Sequence, residues 1–577
     1  MPRVGRIALH LLAAAAIGVA VWLLLGRTAF VNYDSAWSLD WMRQLLAGGS
    51  RPDLERLFSP TPHPLSDLLS GVLVPFSDGG GPAVGHGAET VLIALALFWL
   101  GALGVVTYRL GEAWFGVGAG IVAAILVLTR EPVLSYGLRT YLDLPYAVFL
   151  LLALLAETRR PRNGLRTLGW ITLAGLLRPE AWLLAAAYVG YLLVVQVREA
   201  GSSAAGTPDD GRPATDDRTD PGPTADAAAT DAGGLLRAAP RERLVGWWRV
   251  VDRRQLALLV AIAAIAPLGW IVEGLVLAGD PLQALTGTQQ NAADLDRVTG
   301  VGSAITVMPR RLGEIVREPV LLAAFGGVIL SLLLLRRRAL LGVAATIAAG
   351  IAFFLLAAAG LPLLTRYLVF PGTLLVLFAA AGLLGWRRLD RDHRWRRPWQ
   401  AFALLCLLVL VAFGPGQVRR VDRLHHALGL QQRVIGDLRT VTGDLRPLLT
   451  DGPCVRPENA GAAFGQAGES PDAGARRVPA DVALPNHRAV PQVLLWLGLQ
   501  DDQPFAVEAL APGTAPAVTL LPASTRVARG FILDKADKGK GLPDPPSGSV
   551  QAATVGSWRV YGRDAACAAA LRTRLGR

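Results

Sequence analysis

The sequence predicts an α-helical polytopic membrane protein of about 11 transmembrane helices, followed by a small C-terminal α/β domain outside the membrane. Three observations carry this. Apolar residues make up 52% of the 577 positions before the 63 glycines are added, whereas soluble chains reach roughly 45–50% with glycine included. The apolar residues gather in Ala/Leu/Val runs near the length needed to cross a bilayer. From about Gln417 the runs give way to mixed, polar sequence.

Length alone would suggest three or four soluble domains, but no soluble fold buries so many apolar runs. Whole-chain disorder, a disulfide-dense scaffold and a collagen-like repeat are excluded on composition. The net charge is +12. Its arginines cluster between apolar runs, where they report topology rather than a nucleic-acid partner.

The first run, Ile7–Gly26, follows Arg3 and Arg6. It is long for a secretory signal and lacks a small-x-small cleavage site, so it reads as a retained anchor. A polar outer loop, 27–87, comes next. Further runs cover Glu89–Tyr108, Phe115–Leu128 and Tyr141–Ala156. Leu168–Val197 is long for one span and short for two, and Arg178-Pro179-Glu180 breaks it in the middle. Pro disrupts a helix and a buried Arg is costly. Read as two short helices, this run puts every later arginine cluster on the side of Arg3 and Arg6. Those clusters are Arg159/Arg160/Arg162/Arg166, Arg336–Arg338 and the six arginines from Arg387 to Arg397. Read as one helix, it would place the last two clusters outside, against the positive-inside rule. The remaining runs are Leu256–Leu277, Val320–Leu335, Ala339–Ala359, Tyr367–Gly385 and Ala401–Phe413. The expected N-terminus is cytoplasmic and the C-terminus extracytoplasmic.

Four regions follow: 1–198, an N-terminal membrane half with its outer loop; 199–254, a disordered cytoplasmic linker ending in an interfacial stretch; 255–416, a second membrane half; and 417–577, the outer domain. The linker is rich in Ala, Gly, Pro, Asp and Thr and has too few large apolar residues to offset ordering entropy. Its end, Arg241–Arg254 with Trp247 and Trp248, has interfacial character. In the outer domain Val418–Leu449 has helical spacing, and strands are expected near Phe505–Leu510, Ala517–Leu521 and Ser557–Tyr561. Cys454 and Cys567 flank this domain. Either they form a bridge, which would contribute about 4–5 kcal/mol, or they are two unrelated thiols.

Candidate chemistry gathers at the outer ends of the spans. The first loop opens Asn32-Tyr33-Asp34-Ser35-Ala36-Trp37, and Ser35–Ala47 reads as a helix lying along the membrane surface. Asp34 is either an N-cap or a carboxylate placed to remove a proton from a hydroxyl. The second outer tip, Arg139-Thr140-Tyr141-Leu142-Asp143, again sets an acid just before an apolar helix. Arg139, Arg178 and Arg366 all fall on the outer side, where topology does not require them. They either snorkel to headgroups or line a polar cavity, in which their planar forks suit a phosphate. His63, between Pro62 and Pro64, either lines an acceptor entrance or shapes the loop. Asp294-Leu295-Asp296 and Asp390-Arg391-Asp392 have a metal-motif spacing that arises easily by chance, and His425-His426 reads as helix surface.

With Asp34 and its following helix, Asp143 before a span, Pro62-His63-Pro64 and Arg366-Tyr367 opening a late span, the chain resembles the GT-C superfamily of membrane glycosyltransferases over about residues 7–415. The Arg178-Pro179-Glu180 break and the C-terminal domain are similar to actinobacterial members. One departure stands out: many members carry Asp-Glu in the first loop, and here Ser35 follows Asp34. The resemblance implies an inverting transfer of a sugar, hexosyl or pentosyl, from a polyprenyl-phosphate donor. The acceptor would be a hydroxyl of an extracytoplasmic glycan or lipid-linked molecule at the plasma membrane. It makes Asp34 the base. Asp143 would orient the acceptor, support Asp34 or help hold a metal. Arg366, Arg139, Arg178 and Tyr367 would meet the donor phosphate, with His63, Glu180 and Tyr33 in acceptor or supporting places. No cofactor is assigned and a divalent metal is left open. Mannose or arabinofuranose would suit an actinobacterial wall. A transporter or lipid-linked-sugar flippase is the alternative class, and nucleic acid is not expected as a partner.

Overall fold

The computed structural model describes residues 3–48, 51–52, 54, 59–77, 86–205, 253–450, 453–454, 482–497, 505–506, 516–532, 542 and 544–576. The ten apolar runs form eleven helices, Leu168–Val197 supplying two. They are α1 (Arg3–Leu24), α4 (His86–Phe115), α5 (Val117–Leu128), α7 (Asp143–Arg159), α8 (Gly164–Gly175), α9 (Glu180–Ala205), α10 (Arg253–Leu277), α13 (Glu318–Leu334), α14 (Arg336–Ala358), α15 (Val369–Leu384) and α16 (Arg396–Thr450). Shorter helices connect them: α2 (Tyr33–Arg43), α3 (Pro64–Leu73), α6 (Glu131–Leu138), α11 (Gln283–Asp294) and α12 (Val301–Val316).

Among the described residues, seven helices are long and apolar enough to cross a membrane, and two bent pairs raise this to nine. The pairs are α5 with α6, bent by 67°, and α12 with α13, bent by 105°. The expected count of about 11 therefore includes α7 and α8, with 17 and 12 residues, short of the roughly 20 that span a bilayer unaided. Both pack inside the bundle. The chain is a multi-pass membrane protein, and its lipid-facing helices show it: Leu9, Leu12, Leu258, Leu268, Phe325, Ile347 and Leu408 are exposed.

The split of Leu168–Val197 holds in the structure. α8 ends at Gly175, α9 starts at Glu180, and Arg178 lies in the turn between them. α9 runs on to Ala205, into the stretch expected to be disordered; residues 206–252, with Trp247 and Trp248, lie outside the described residues.

The bundle core is packed tightly where glycine allows it. α13 and α15 cross at Gly327 and Gly382, where an added Cβ would overlap the backbone carbonyls of Phe378 and Ala323.

A second difference concerns α16. The Ala401–Phe413 span and the expected 418–449 helix form one 55-residue rod, with Pro415 inside it. At 1.5 Å per residue it is about 80 Å long. It therefore carries the chain out of the bundle and becomes the spine of the C-terminal domain. That domain is a five-stranded sheet of order β2-β1-β3-β5-β4. Its strands are β1 (Val482–Leu484), β2 (Phe505–Ala506), β3 (Val518–Pro522), β4 (Val550–Val555) and β5 (Trp558–Gly562), and helices α17 (Val490–Leu497) and α18 (Ala565–Leu575) complete it. β1 runs parallel to β2 and β3, while β5 is antiparallel to β3 and β4. Trp558 Nε1 donates to the Val434 carbonyl of α16 at 2.9 Å. The Cys454 and Cys567 sulfurs are 2.04 Å apart, tying the stretch after α16 to α18.

α2 does not expose its tryptophans to a membrane surface, as its composition suggested. Trp37, Leu39 and Trp41 are buried in one cluster with Val493, Leu494 and Leu495 of α17. The C-terminal domain supplies the apolar partner, so this face is covered by protein rather than by lipid. Glu89 of α4 seals the junction, accepting from Arg439 of α16 and, at 3.1 Å, from Trp496 Nε1 of α17.

Candidate active site

The two outer tips meet through backbone and hydroxyl contacts. Phe30 N–H donates to the Leu138 carbonyl at 3.1 Å. Asn32 N–H donates to Thr140 Oγ1 at 3.1 Å, and Ser35 Oγ donates to the Thr140 carbonyl at 3.1 Å. Thr140 sits in the left-handed region, φ +53°, which is strained for a β-branched residue. Its contacts to the first loop hold it there.

Neither aspartate is an N-cap. Asn32 caps α2 by accepting from Ser35 N–H, and α7 has no side-chain cap. This leaves both carboxylates free to pair with guanidinium groups. Asp34 Oδ2 accepts from Arg366 at 2.7 Å. Asp143 accepts from Arg178, whose Nη2 also meets Glu180 at 2.9 Å. Arg178 stacks on the Tyr367 ring at 4.1 Å and Arg366 lies 5.6 Å from the Tyr141 ring. The pairs Asp34–Arg366 and Asp143–Arg178 are thus joined through adjacent residues, 366 and 367.

A cavity of about 440 Å³ opens on one side of this assembly. Of the candidate residues, Tyr33, Asp34, Arg139, Arg366 and Tyr367 line it. Asp143, Arg178, Glu180 and His63 do not. The first three form a buried, ion-paired network behind the wall; Asp143 is 2% exposed and Arg178 6%. With two carboxylates already on it, Arg178 has little charge left for a phosphate. His63 N-caps α3 in extended conformation, its N–H donates to Asp67 at 3.1 Å, and its ring packs edge-on against Trp270.

Electrostatics separate the roles further. Burial disfavours the charged form of Asp34, but Arg366 outweighs it and holds the carboxyl below its ordinary range. Burial, followed by Arg178, pushes His63 down to about 3, so its imidazole is neutral near pH 7. Burial pushes the Tyr33 phenol up, keeping it protonated.

Several wall residues carried no sequence signal. Arg297 and Arg311 come from the α11–α12 region, Tyr136 from α6, Gln431 and Ile435 from α16, and His487, Arg488, Gln492 and Phe531 from the C-terminal domain. Arg297 follows the Asp294-Leu295-Asp296 triplet directly. Burial and then Arg366 lower its pKa, as expected where cations crowd. Among the described residues, five arginines line the cavity against one acid, Asp34. Such a surface is built for an anion. Among the described residues, no group of three His, Cys, Asp or Glu side chains is placed to hold a metal ion, and this includes His425-His426 and both Asp-x-Asp triplets.

No protein-family model matches the chain, and no curated protein matches it. Among solved structures it is similar to ArnT from Cupriavidus metallidurans bound to undecaprenyl phosphate, at 14% identity, covering 98% of this chain and 99% of that one, with a TM-score of 0.47. The archaeal oligosaccharyltransferase AglB from Archaeoglobus fulgidus, in complex with an inhibitory peptide and a dolichol-phosphate, is similar at 14% identity. That likeness covers 86% of this chain and 63% of that one, with a TM-score of 0.44. Both are likenesses of overall shape; the functional reading rests on the geometry of the cavity.

Proposed function

We propose that this protein is a GT-C-type membrane glycosyltransferase. It moves a sugar from a polyprenyl-phosphate donor to a hydroxyl of an extracytoplasmic glycan or lipid-linked acceptor, with inversion. The observation that carries the proposal is Asp34 in an arginine-walled cavity at the ends of apolar helices.

The helix directions support an outward-facing cavity. Arg366 opens the segment that runs through α15 to Arg387–Arg388, and Asp143 opens α7, which ends at Arg159 with Arg160 next to it. By the positive-inside rule those arginine ends are cytoplasmic. The cavity and the C-terminal domain then face outward, at the plasma membrane, where a Cys454–Cys567 bridge persists.

In the reaction the acceptor oxygen attacks the anomeric carbon as the bond from that carbon to the phosphate oxygen breaks. The acceptor proton passes to Asp34 and the phosphate monoester leaves with both bonding electrons. Arg366 is the group nearest Asp34 and the natural receiver of that charge, with Arg139 and Arg297 beside it. A donor phosphate competes with Asp34 for the Arg366 guanidinium. Binding therefore weakens the pair that depresses Asp34 and makes it a better base. Asp143, Arg178 and Glu180 act as positioning residues, fixing the Tyr367 face and the second tip. No step is routed through a metal.

The test is transfer by purified protein in membranes supplied with radiolabelled polyprenyl-phosphate sugars and a panel of wall-glycan acceptors. Label reaching an acceptor supports the reading. Label crossing the membrane with no transfer would establish the flippase class instead.

A further inference from the structure

The cavity wall has a second chemical character that the arginines do not explain. Gln492 of α17 is 3% exposed and lines the cavity, yet its Oε1 has no hydrogen-bond partner among the described residues. Asn291 of α11 is in the same position. Its Nδ2 donates to the Ser59 carbonyl at 2.7 Å, which fixes the amide and leaves Oδ1, in the cavity wall, without a partner among the described residues. A buried acceptor left unpaired costs about 1–3 kcal/mol. Two of them in one wall, from two different parts of the chain, are a standing demand for hydroxyl or amine donors.

We infer that Gln492 and Asn291 form a sugar-hydroxyl subsite, in which their side-chain carbonyls accept hydrogen bonds from a neutral polyhydroxylated glycosyl group. The inference rests on the glycosyltransferase reading and deepens it. Phosphate and carboxylate lack the needed donors at neutral pH, so the arginines and the amides sort one ligand into two ends. An ammonium-bearing sugar also has donors, but the five arginines of the wall oppose a cation. The class is therefore a neutral sugar. Because Gln492 belongs to the C-terminal domain, that domain takes part in choosing the sugar and is not only a support for the outer loops. The hydroxyls belong either to the donor's glycosyl group or to a glycan acceptor, and the binding arms below separate the two.

The experiment uses the full chain in detergent or nanodiscs, with Gln492→Met and Asn291→Leu, which keep side-chain volume and remove the acceptor. Three ligands are titrated: undecaprenyl monophosphate, undecaprenyl phosphate carrying a neutral hexose or pentose, and a soluble oligosaccharide of the same sugars. The wild type should bind the sugar-bearing lipid or the oligosaccharide with a preference that each variant reduces about five- to tenfold. Affinity for the bare monophosphate should stay within about twofold, which also shows that the variant is folded. A loss confined to the sugar-bearing lipid assigns the subsite to the donor, and a loss confined to the oligosaccharide assigns it to the acceptor. Unchanged sugar affinities in both variants, with monophosphate binding intact, would overturn the subsite and leave the enzyme reading standing. A wild type that binds none of the three ligands would overturn both. Added as a further ligand, the amino-sugar counterpart of the oligosaccharide should bind more weakly than the neutral form; a preference for it would overturn the neutral class.

Discussion

Arg366 donates to Asp34 at 2.7 Å across 332 residues of chain. The pair joins the first outer loop to the turn that opens a late span, and both of its partners line the cavity.

Asp34→Asn should therefore abolish transfer while the chain still inserts and folds. The expected loss in kcat is about 10²–10⁴-fold, the range for a general base. Arg366→Gln should lose activity as well, and the double variant should lose much less than the product of the two. Substantial transfer by the Asn variant would remove Asp34 as the base.

The acid limb of the rate profile should lie low. Arg366 holds Asp34 below its ordinary 3.8, so kcat/KM should stay flat from neutrality down to about pH 4 and fall only below it. In Arg366→Gln the lowering charge is gone and burial remains, so the residual activity should show its acid limb at higher pH.

His63 makes a stability prediction. Its ordinary value is 6.5 and the folded site lowers it to about 3. Within that window the unfolded chain binds the proton and the folded chain does not. Stability should therefore fall as pH drops below about 6.5. His63→Gln cannot titrate and should flatten this part of the curve, measured as Tm against pH in detergent.

Arg178→Ala should act on stability before chemistry. It leaves Asp143 and Glu180 as buried carboxylates without their cation, which costs about 3–5 kcal/mol for a buried pair broken on one side. Thermal unfolding should show a large Tm loss, with part of the activity surviving at low temperature. A variant as stable as the parent would refute the positioning role.

The Cys454–Cys567 bond closes a loop of 113 residues. Chain-entropy arguments give it about 4–5 kcal/mol. Cys567→Ser should unfold the C-terminal domain at lower temperature and open a new alkylation site at Cys454. Two alkylatable thiols in the unreduced wild type would rule the bond out.

How much of this was legible beforehand differs by element. Runs such as Leu256–Leu277 and Tyr367–Gly385 read directly as helices, because length and composition settle what survives in a bilayer. Arg178-Pro179-Glu180 read as a break because charge and proline both oppose a continuous helix. Asp34 and Arg366 were visible as charges where topology needs none. The continuity of α16 through Pro415 was not visible, since the local pattern favours a stop there and packing against the C-terminal domain overrides it.

The sequence by itself determined which segments are apolar helices and which polar residues stand at their ends, since hydrophobic length and charge bias are properties of each segment alone. Only the tertiary structure decided which of those residues face the cavity. It put Asp34 and Arg366 on the wall and withdrew Asp143 and Arg178 into a paired network behind it. It also brought Arg297 and Gln492 in from segments with no recognisable motif. The physical reason is that pairing and burial depend on which helix ends meet in space, and such contacts between distant segments leave no periodic trace along the chain.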